Sequence, residues 1–274
     1  MMIAALSTQH FKTHSIDEVL EEIKQAVRKK PDNADLRAQL FQVLALKGDW
    51  QRAVDQLKIS AEMNQQAQPV AMIYINAINA ESERNEVLAG RAMPAVFGTP
   101  PDWMALLSQA LKEDSREQAA ALRQQALEMA PSFGGTLKTH ANSEQDIAFQ
   151  WLCDGDGRLG PILEFMSNGR YGWIPFEDIE SVRFIEAQGL SDLLWVQTEV
   201  HLLDGRSHVG IVPARYPATV DYASQNDALN LGHRTEWLEL SEDIYQGLGQ
   251  KMFMSDEAEY GLLEIAEIRF NLED

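Results

Sequence analysis

Residues 100–131 read PPDWMALLSQALKEDSREQAAALRQQALEMAP, and the spacing inside this stretch decides the first half of the fold. With Pro100 as position 1, Trp103, Leu106, Ala119, Ala126 and Pro131 fall at positions 4, 7, 20, 27 and 32. Trp103 and Leu106 share one helix face. Ala119 and Ala126 are small enough to let a second helix pack closely against it. Pro131 ends that second helix, because it lacks an N–H and clashes with the preceding turn.

The same phase holds upstream. Ser15 is placed to cap a helix over Ile16–Lys29, with Glu18 completing a capping box. Val19, Leu20, Ile23, Ala26 and Val27 form its apolar stripe. Lys29 and Lys30 suit its negative end, and Pro31 stops it. Ala26 and Pro31 then occupy positions 27 and 32. If Ala34 opens the next unit, Leu40 is position 7, Gly48 position 15, Ala53 position 20 and Leu57 position 24. Gly48-Asp49 reads as the turn between helices over 36–46 and 50–63, and 68–87 as a less regular helical stretch. This is the pattern of tetratricopeptide-like (TPR-like) helix pairs. Whether the pairs stack into a regular superhelix stays open. Modules of this kind hold a segment of another protein and do no chemistry themselves.

The whole chain, 274 residues, is long enough for one large domain or two smaller ones. At 45% hydrophobic and 24% charged it has an ordinary globular composition. Residues 1–6 are apolar but have no basic flank and are short for a signal peptide. Residues 70–80 carry Asn76 and Asn79 and fall short of a membrane span. Cys153 is the single cysteine, which excludes an internal disulfide or a multi-cysteine metal site. The expected location is cytoplasmic. The net charge of −19 is uneven: residues 1–140 hold 15 Lys+Arg against 17 Asp+Glu, and residues 141–274 hold 8 against 25. So acidic a second half would repel a phosphate backbone, so no nucleic-acid partner is expected. Its cations are seven arginines and one lysine. The arginines read as mostly structural, paired with carboxylates in partly buried places.

After Pro131 the helical pattern breaks at Phe133-Gly134-Gly135-Thr136. The expected architecture is α+β: a TPR-like helical domain over 1–135, then a mixed, β-rich domain over 136–274. Residues 196–202 alternate apolar and polar, Asp204-Gly205 is a hairpin signal, and 207–212 is the return strand. Residues 171–176 read as a further strand stopped by Pro175. Residues 162–166 and 239–248 read as helical, the first starting near Pro161.

Few constellations suggest chemistry. Asp154-Gly155-Asp156-Gly157-Arg158-Leu159 resembles a calcium loop, but an EF-hand needs Gly at its sixth place and Glu at its twelfth, where Leu159 and Phe165 stand. The plainer reading is a glycine-rich turn whose carboxylates cap backbone N–H groups. No HExxH pair occurs among the six histidines. His201 and His208 sit on opposite arms of the expected hairpin and read as solvent neighbours. Cys153 has His140 nearby but no nucleophile signature. There is no G-x-S-x-G, Walker A or dinucleotide fingerprint, and Gly247-Leu248-Gly249 is only a weak match. No catalytic, cofactor or metal residue is assigned. Two strings, Gly169–Trp173 in number 169–173 and Ala214-Arg215-Tyr216-Pro217, place Arg beside Tyr, a pairing found both in binding hot spots and in ordinary cores.

These strings carry a resemblance. Residues 149–161 (FQWLCDGDGRLGP), 168–176 (NGRYGWIPF), 212–217 (VPARYP), 234–237 (RTEW) and, upstream, 94–103 (PAVFGTPPDW) resemble the signature of the ImpE/SciE/TagJ family. The resemblance covers nearly the whole chain. It implies an N-terminal TPR-like domain, a separate C-terminal domain, and a non-enzymatic accessory role in bacterial type VI secretion. It further implies association with the contractile sheath through the N-terminal helix of its small subunit TssB, and a link with the ATPase ClpV. Gly172 stands where another aromatic is common in the family, and Lys251 where an arginine is usual.

The expectation is therefore an adaptor that takes a short amphipathic helix into a groove, with apolar anchors at i, i+3/i+4 and i+7. The acidic half favours a basic peptide. Arg158, Arg170, Tyr171, Trp173, Arg215 and Tyr216 are the candidate partner-binding residues. Which domain supplies the groove stays open. The alternatives are a metal-dependent hydrolase built on Asp154, Asp156 and a histidine, and a structural scaffold that dimerises through its C-terminal domain.

Overall fold

The computed structural model describes residues 6, 8–222, 226–241 and 243–271. Most of the apolar stretch 1–6 thus lies outside the described residues. The first part is helical: α1 (Ile16–Lys29), α2 (Ala34–Leu46), α3 (Trp50–Met63) and α4 (Gln68–Leu88), then, after the short strand β1 (Ala95–Val96), α5 (Asp102–Lys112) and α6 (Arg116–Met129). The signals in the sequence act as expected. Ser15 Oγ accepts from Glu18 N, and Glu18 returns a bond to Ser15 N, completing the capping box at α1. Gly48 makes the α2–α3 turn at φ 70, with Val220 so near that a Cβ there would lie 2.7 Å from its side chain. Ala53 and Ala126 are fully buried and Ala119 nearly so. The helices α2 and α3, and α5 and α6, pair as hairpins. The pairs do not form an unbroken array. Helix α4 runs 21 residues and lies against strands as well as against α3.

The second part is β-rich. Its strands are β2 (Gly135–Thr139), β3 (Asn142–Phe149), β4 (Leu152–Asp154), β5 (Ile162–Ser167), β6 (Arg170–Pro175), β7 (Ile179–Phe184), β8 (Trp195–Leu202), β9 (Ser207–Pro213), β10 (Thr235–Ser241), β11 (Ile244–Gly249), β12 (Met252–Ser255), β13 (Glu259–Gly261) and β14 (Ile265–Phe270). Single helical turns α7 (Thr219–Tyr222) and α8 (Asp227–Asn230) precede β10. Among the described residues one sheet runs β1-β6-β5-β9-β8-β7-β14-β2-β3, beside a β10–β11 hairpin and a β13-β12-β4 sheet. The β8–β9 hairpin turns at Gly205, as its Asp-Gly signal requires.

Two readings are corrected. Residues 162–166 form strand β5, and 239–248 span the turn of the β10–β11 hairpin. Both faces of β5 are covered, so its sequence, Glu164 apart, reads as an apolar run and hides its period of two. Ile162, Glu164 and Met166 face the helices; Leu163 and Phe165 face a second core. In β10–β11 the turn carries no glycine: Asp243 takes the left-handed conformation at φ 60, which short polar side chains tolerate.

Two apolar clusters result. One joins the helices to one side of the sheet, through Leu40, Leu44, Ala77, Trp103, Trp173 and Trp195. The other joins the opposite side to Phe253 of the small sheet, through Leu163, Phe165, Val200 and Ile268. Residues on both sides of position 135 belong to the first cluster, and β1 pairs in parallel with β6.

Candidate functional site

Helix α4 brings charge into the seam between the helices and the sheet. Glu81 and Arg84, three residues apart, share the face that packs on β5 and β6. Arg84 forks onto Glu164, with Nε donating to Oε1 and Nη2 to Oε2, both at 2.7 Å. Its Nη1 donates to the Arg215 carbonyl at 2.9 Å and meets Glu81 at 3.3 Å. Tyr171 Oη donates to Glu164 at 2.6 Å, and Trp173 Nε1 donates to Tyr171 Oη at 2.7 Å. Trp195 Nε1 donates to Glu81 at 3.0 Å.

Lys251 enters from the other side. Its ammonium bridges Glu164, at 2.7 Å, and Asp154, and lies 4.9 Å from the centre of the Tyr216 ring. Tyr216 Oη donates to the other oxygen of Asp154 at 2.8 Å. Asp156 takes a fork from Arg158, at 2.9 and 2.6 Å, and caps the Arg158 and Gly247 N–H groups. Asp154 likewise caps Asp156 N. The glycine-rich turn is thus held by capping carboxylates, as the plainer reading has it, and it leads into a strand rather than a helix.

Burial sets the electrostatics. It opposes ionisation of Glu164, yet Arg84 and Lys251 hold that carboxyl far below its ordinary range. Asp154 shares one ammonium, so burial pushes it up to about 6 despite Lys251. Burial brings Arg215 down to about 10, with Glu81 opposing and Arg84 adding to the fall. Arg215 Nη1 donates to the carbonyls of Leu46 and Asn230, which fixes the end of α2 to α8. Arg84, Arg158, Arg215 and Lys251 face Glu81, Asp154, Asp156 and Glu164, all buried.

Of the six candidate partner-binding residues, Arg158, Tyr171, Trp173, Arg215 and Tyr216 lie in this interior network, where they join the helices to the sheet. Arg170 is exposed and pairs with Glu83 of α4 at 3.0 Å. Glu81, Arg84 and Glu164 escaped the sequence reading. The available signals were a Glu and an Arg at i, i+3 within an apolar helix, and a lone Glu inside an apolar run. His201 and His208 point to opposite faces of their hairpin. His208 stacks edge-on near Phe97 and Phe165, and His201 Nδ1 lies 2.8 Å from Ser207 Oγ. Burial pushes the Cys153 thiol up to about 12, which makes it a poor nucleophile at neutral pH.

A surface concavity lies elsewhere. A groove of about 1050 Å³ runs between α6 and the β10–β11 hairpin. Ala120, Ala121, Leu127, Leu240 and Ile244 supply its apolar lining, and Glu117, Glu128, Glu239 and Asp243 its acidic edges.

At Gly172 the neighbouring backbone leaves no room for a side chain. A Cβ on Gly172 would lie 2.4 Å from the Ala95 carbonyl oxygen and 2.7 Å from the Phe97 ring. Strand β1 approaches too closely for any side chain.

Comparison with known proteins agrees with this architecture. The ImpE protein family matches residues 146–269. The type VI secretion system accessory component TagJ of Pseudomonas aeruginosa is 38% identical over 275 residues, covering 99% of this chain and 93% of that protein. A Vibrio parahaemolyticus protein solved by X-ray crystallography superposes with a TM-score of 0.82 at 23% identity, over 94% of each chain, and so shares the fold. On sequence similarity along its whole length, the chain belongs to the ImpE/TagJ family.

Proposed function

We propose that this chain is a cytoplasmic adaptor of the bacterial type VI secretion sheath. The carrying observation is its similarity, over 99% of its length, to a secretion accessory component. In this reading it does no chemistry. It holds the N-terminal helix of the small sheath subunit TssB and so links the sheath to the ATPase ClpV. Three features support it. Hairpins of the TPR-like type form much of the first part. Asp154 and Asp156, the carboxylates of the hydrolase alternative, are each engaged by an internal cation. No helix among the described residues is long and apolar enough to cross a membrane.

The test is a pull-down with the full chain against intact TssB, TssB lacking its N-terminal helix, and ClpV with and without TssB. Retention of intact TssB, loss on helix deletion, and recovery of ClpV only with TssB are expected. Equal retention of both TssB forms, or of neither, sinks the reading.

A further inference from the structure

We propose that the cavity between the α2–α3 turn, the second half of α4 and residues 215–221 is a binding site for a small monocarboxylate, held by the guanidinium of Arg215. The site is separate from the adaptor reading and does not depend on it. The cavity measures about 250 Å³, well beyond the about 10–15 Å³ that one water requires. Arg84, Arg158 and Arg215 are the buried arginines of the charge network. Two of them use the same edge in the same way. Nε and Nη2 of Arg84 fork onto Glu164, and Nε and Nη2 of Arg158 fork onto Asp156. Arg215 spends only Nη1, on the carbonyls of Leu46 and Asn230. Its Nε and Nη2 have no hydrogen-bond partner among the described residues; neither is fully enclosed, and Arg215 lines the cavity. That edge matches the two oxygens of a carboxylate.

Electrostatics divide the three arginines along the same line. Against burial, Glu164 raises the Arg84 guanidinium and Asp156 raises that of Arg158. At Arg215 burial wins and lowers it, with Glu81 opposing only in part. A carboxylate on the Nε–Nη2 edge would supply the balancing charge. Charge and shape then narrow the occupant. Arg84 is already spent on Glu164 and Glu81. Glu81 and Asp221 also line the cavity, so a phosphate or a dicarboxylate would bring a second negative charge beside carboxylates already there. A single carboxylate answers Arg215 alone. Trp50, Leu194, Pro217 and Val220 give apolar walls for its body.

Heteronuclear NMR of the full chain, following the Arg215 Nε–H and Trp50 Nε1–H signals, tests this. Acetate and benzoate are the probes, phosphate and benzyl alcohol the controls. Saturable shifts of both signals are expected with a carboxylate, and at least tenfold weaker binding of the controls. Asn85→Trp fills the cavity from an exposed position on α4, and Arg215→Lys keeps the positive charge but loses the fork. Each is expected to weaken carboxylate binding at least tenfold. Asn85→Trp is expected to unfold at the wild-type temperature, which separates loss of the site from loss of the fold. Saturable binding of neither carboxylate, wild-type affinity in either variant, or a control that binds as tightly as the carboxylates overturns the proposal.

Discussion

Arg84 of α4 and Glu164 of β5, eighty residues apart in sequence, form a two-point ion pair at 2.7 Å on each arm, with both side chains almost wholly out of water. Such a pair carries geometry as well as charge, because the guanidinium fork matches the carboxylate plane. It ties α4 to β5. Glu164 also accepts from Tyr171 and contacts Lys251, which uses about all the lone pairs a carboxylate offers. The pair is therefore the centre of a charge-balanced unit, and removing one member strands the others.

Arg84→Met leaves Glu164 with Lys251 alone and Glu81 without its cation. Breaking a buried pair costs about 3–5 kcal/mol. Urea unfolding is expected to show a loss of that order. The double variant Arg84→Met/Glu164→Met removes one charge of each sign and is expected to lose less than the two single variants summed. Strict additivity would mean that the two groups do not act as a pair.

The pH dependence of stability carries the mark of Asp154. Its carboxyl lies at about 6 in the fold against an ordinary 3.8, so between those values the folded chain binds more protons than the unfolded one. Stability from this group is present below the ordinary value and is lost as pH rises through about 6. The loss amounts to about 3 kcal/mol at about 1.4 kcal/mol per unit. Glu164, held low, acts oppositely: its contribution is present above its ordinary value and lost on acidification. Asp154→Asn is therefore expected to remove the decline between pH 4 and 6 and to leave the acid limb in place. Superimposable profiles for variant and wild type would refute this assignment.

Gly172→Ala drives a methyl group into the Ala95 carbonyl and the Phe97 ring. Backbone cannot yield as a side-chain tip can, so the cost is expected at the upper end of overpacking, about 3 kcal/mol. Hydrogen exchange checks the mechanism: protection of the Phe97 N–H, which donates to the Trp173 carbonyl at 3.1 Å, should fall first.

Ser15→Ala removes the oxygen that caps Glu18 N and the hydroxyl's own bond to the Glu18 carboxylate, and leaves only the backbone half of the capping box, from the residue 15 N–H to Glu18. The expected destabilisation is about 1 kcal/mol, read by thermal unfolding.

Local chemistry made much of the first half legible. Caps at Ser15, breaks at Pro31 and Pro131, a left-handed turn at Gly48, and alanines at close crossings act over a few residues, so the order of residues alone fixes them. Asp204-Gly205 fixed the β8–β9 hairpin in the same way. Strand β5 was hidden because a segment covered on both faces loses the alternation that marks a strand, and 239–248 because its turn uses Asp243 in place of glycine. The network was hidden for another reason. Arg84, Glu164, Lys251 and Asp154 come from α4, β5, the β11–β12 link and β4, and the pairs that meet, Arg84–Glu164, Lys251–Glu164 and Lys251–Asp154, lie eighty or more positions apart, beyond any spacing rule. Tertiary packing alone decided that Tyr171, Arg215 and Tyr216 turn inward while Arg170 stays exposed, and that α6 meets the β10–β11 hairpin, because burial depends on what covers a residue, and the cover comes from distant chain.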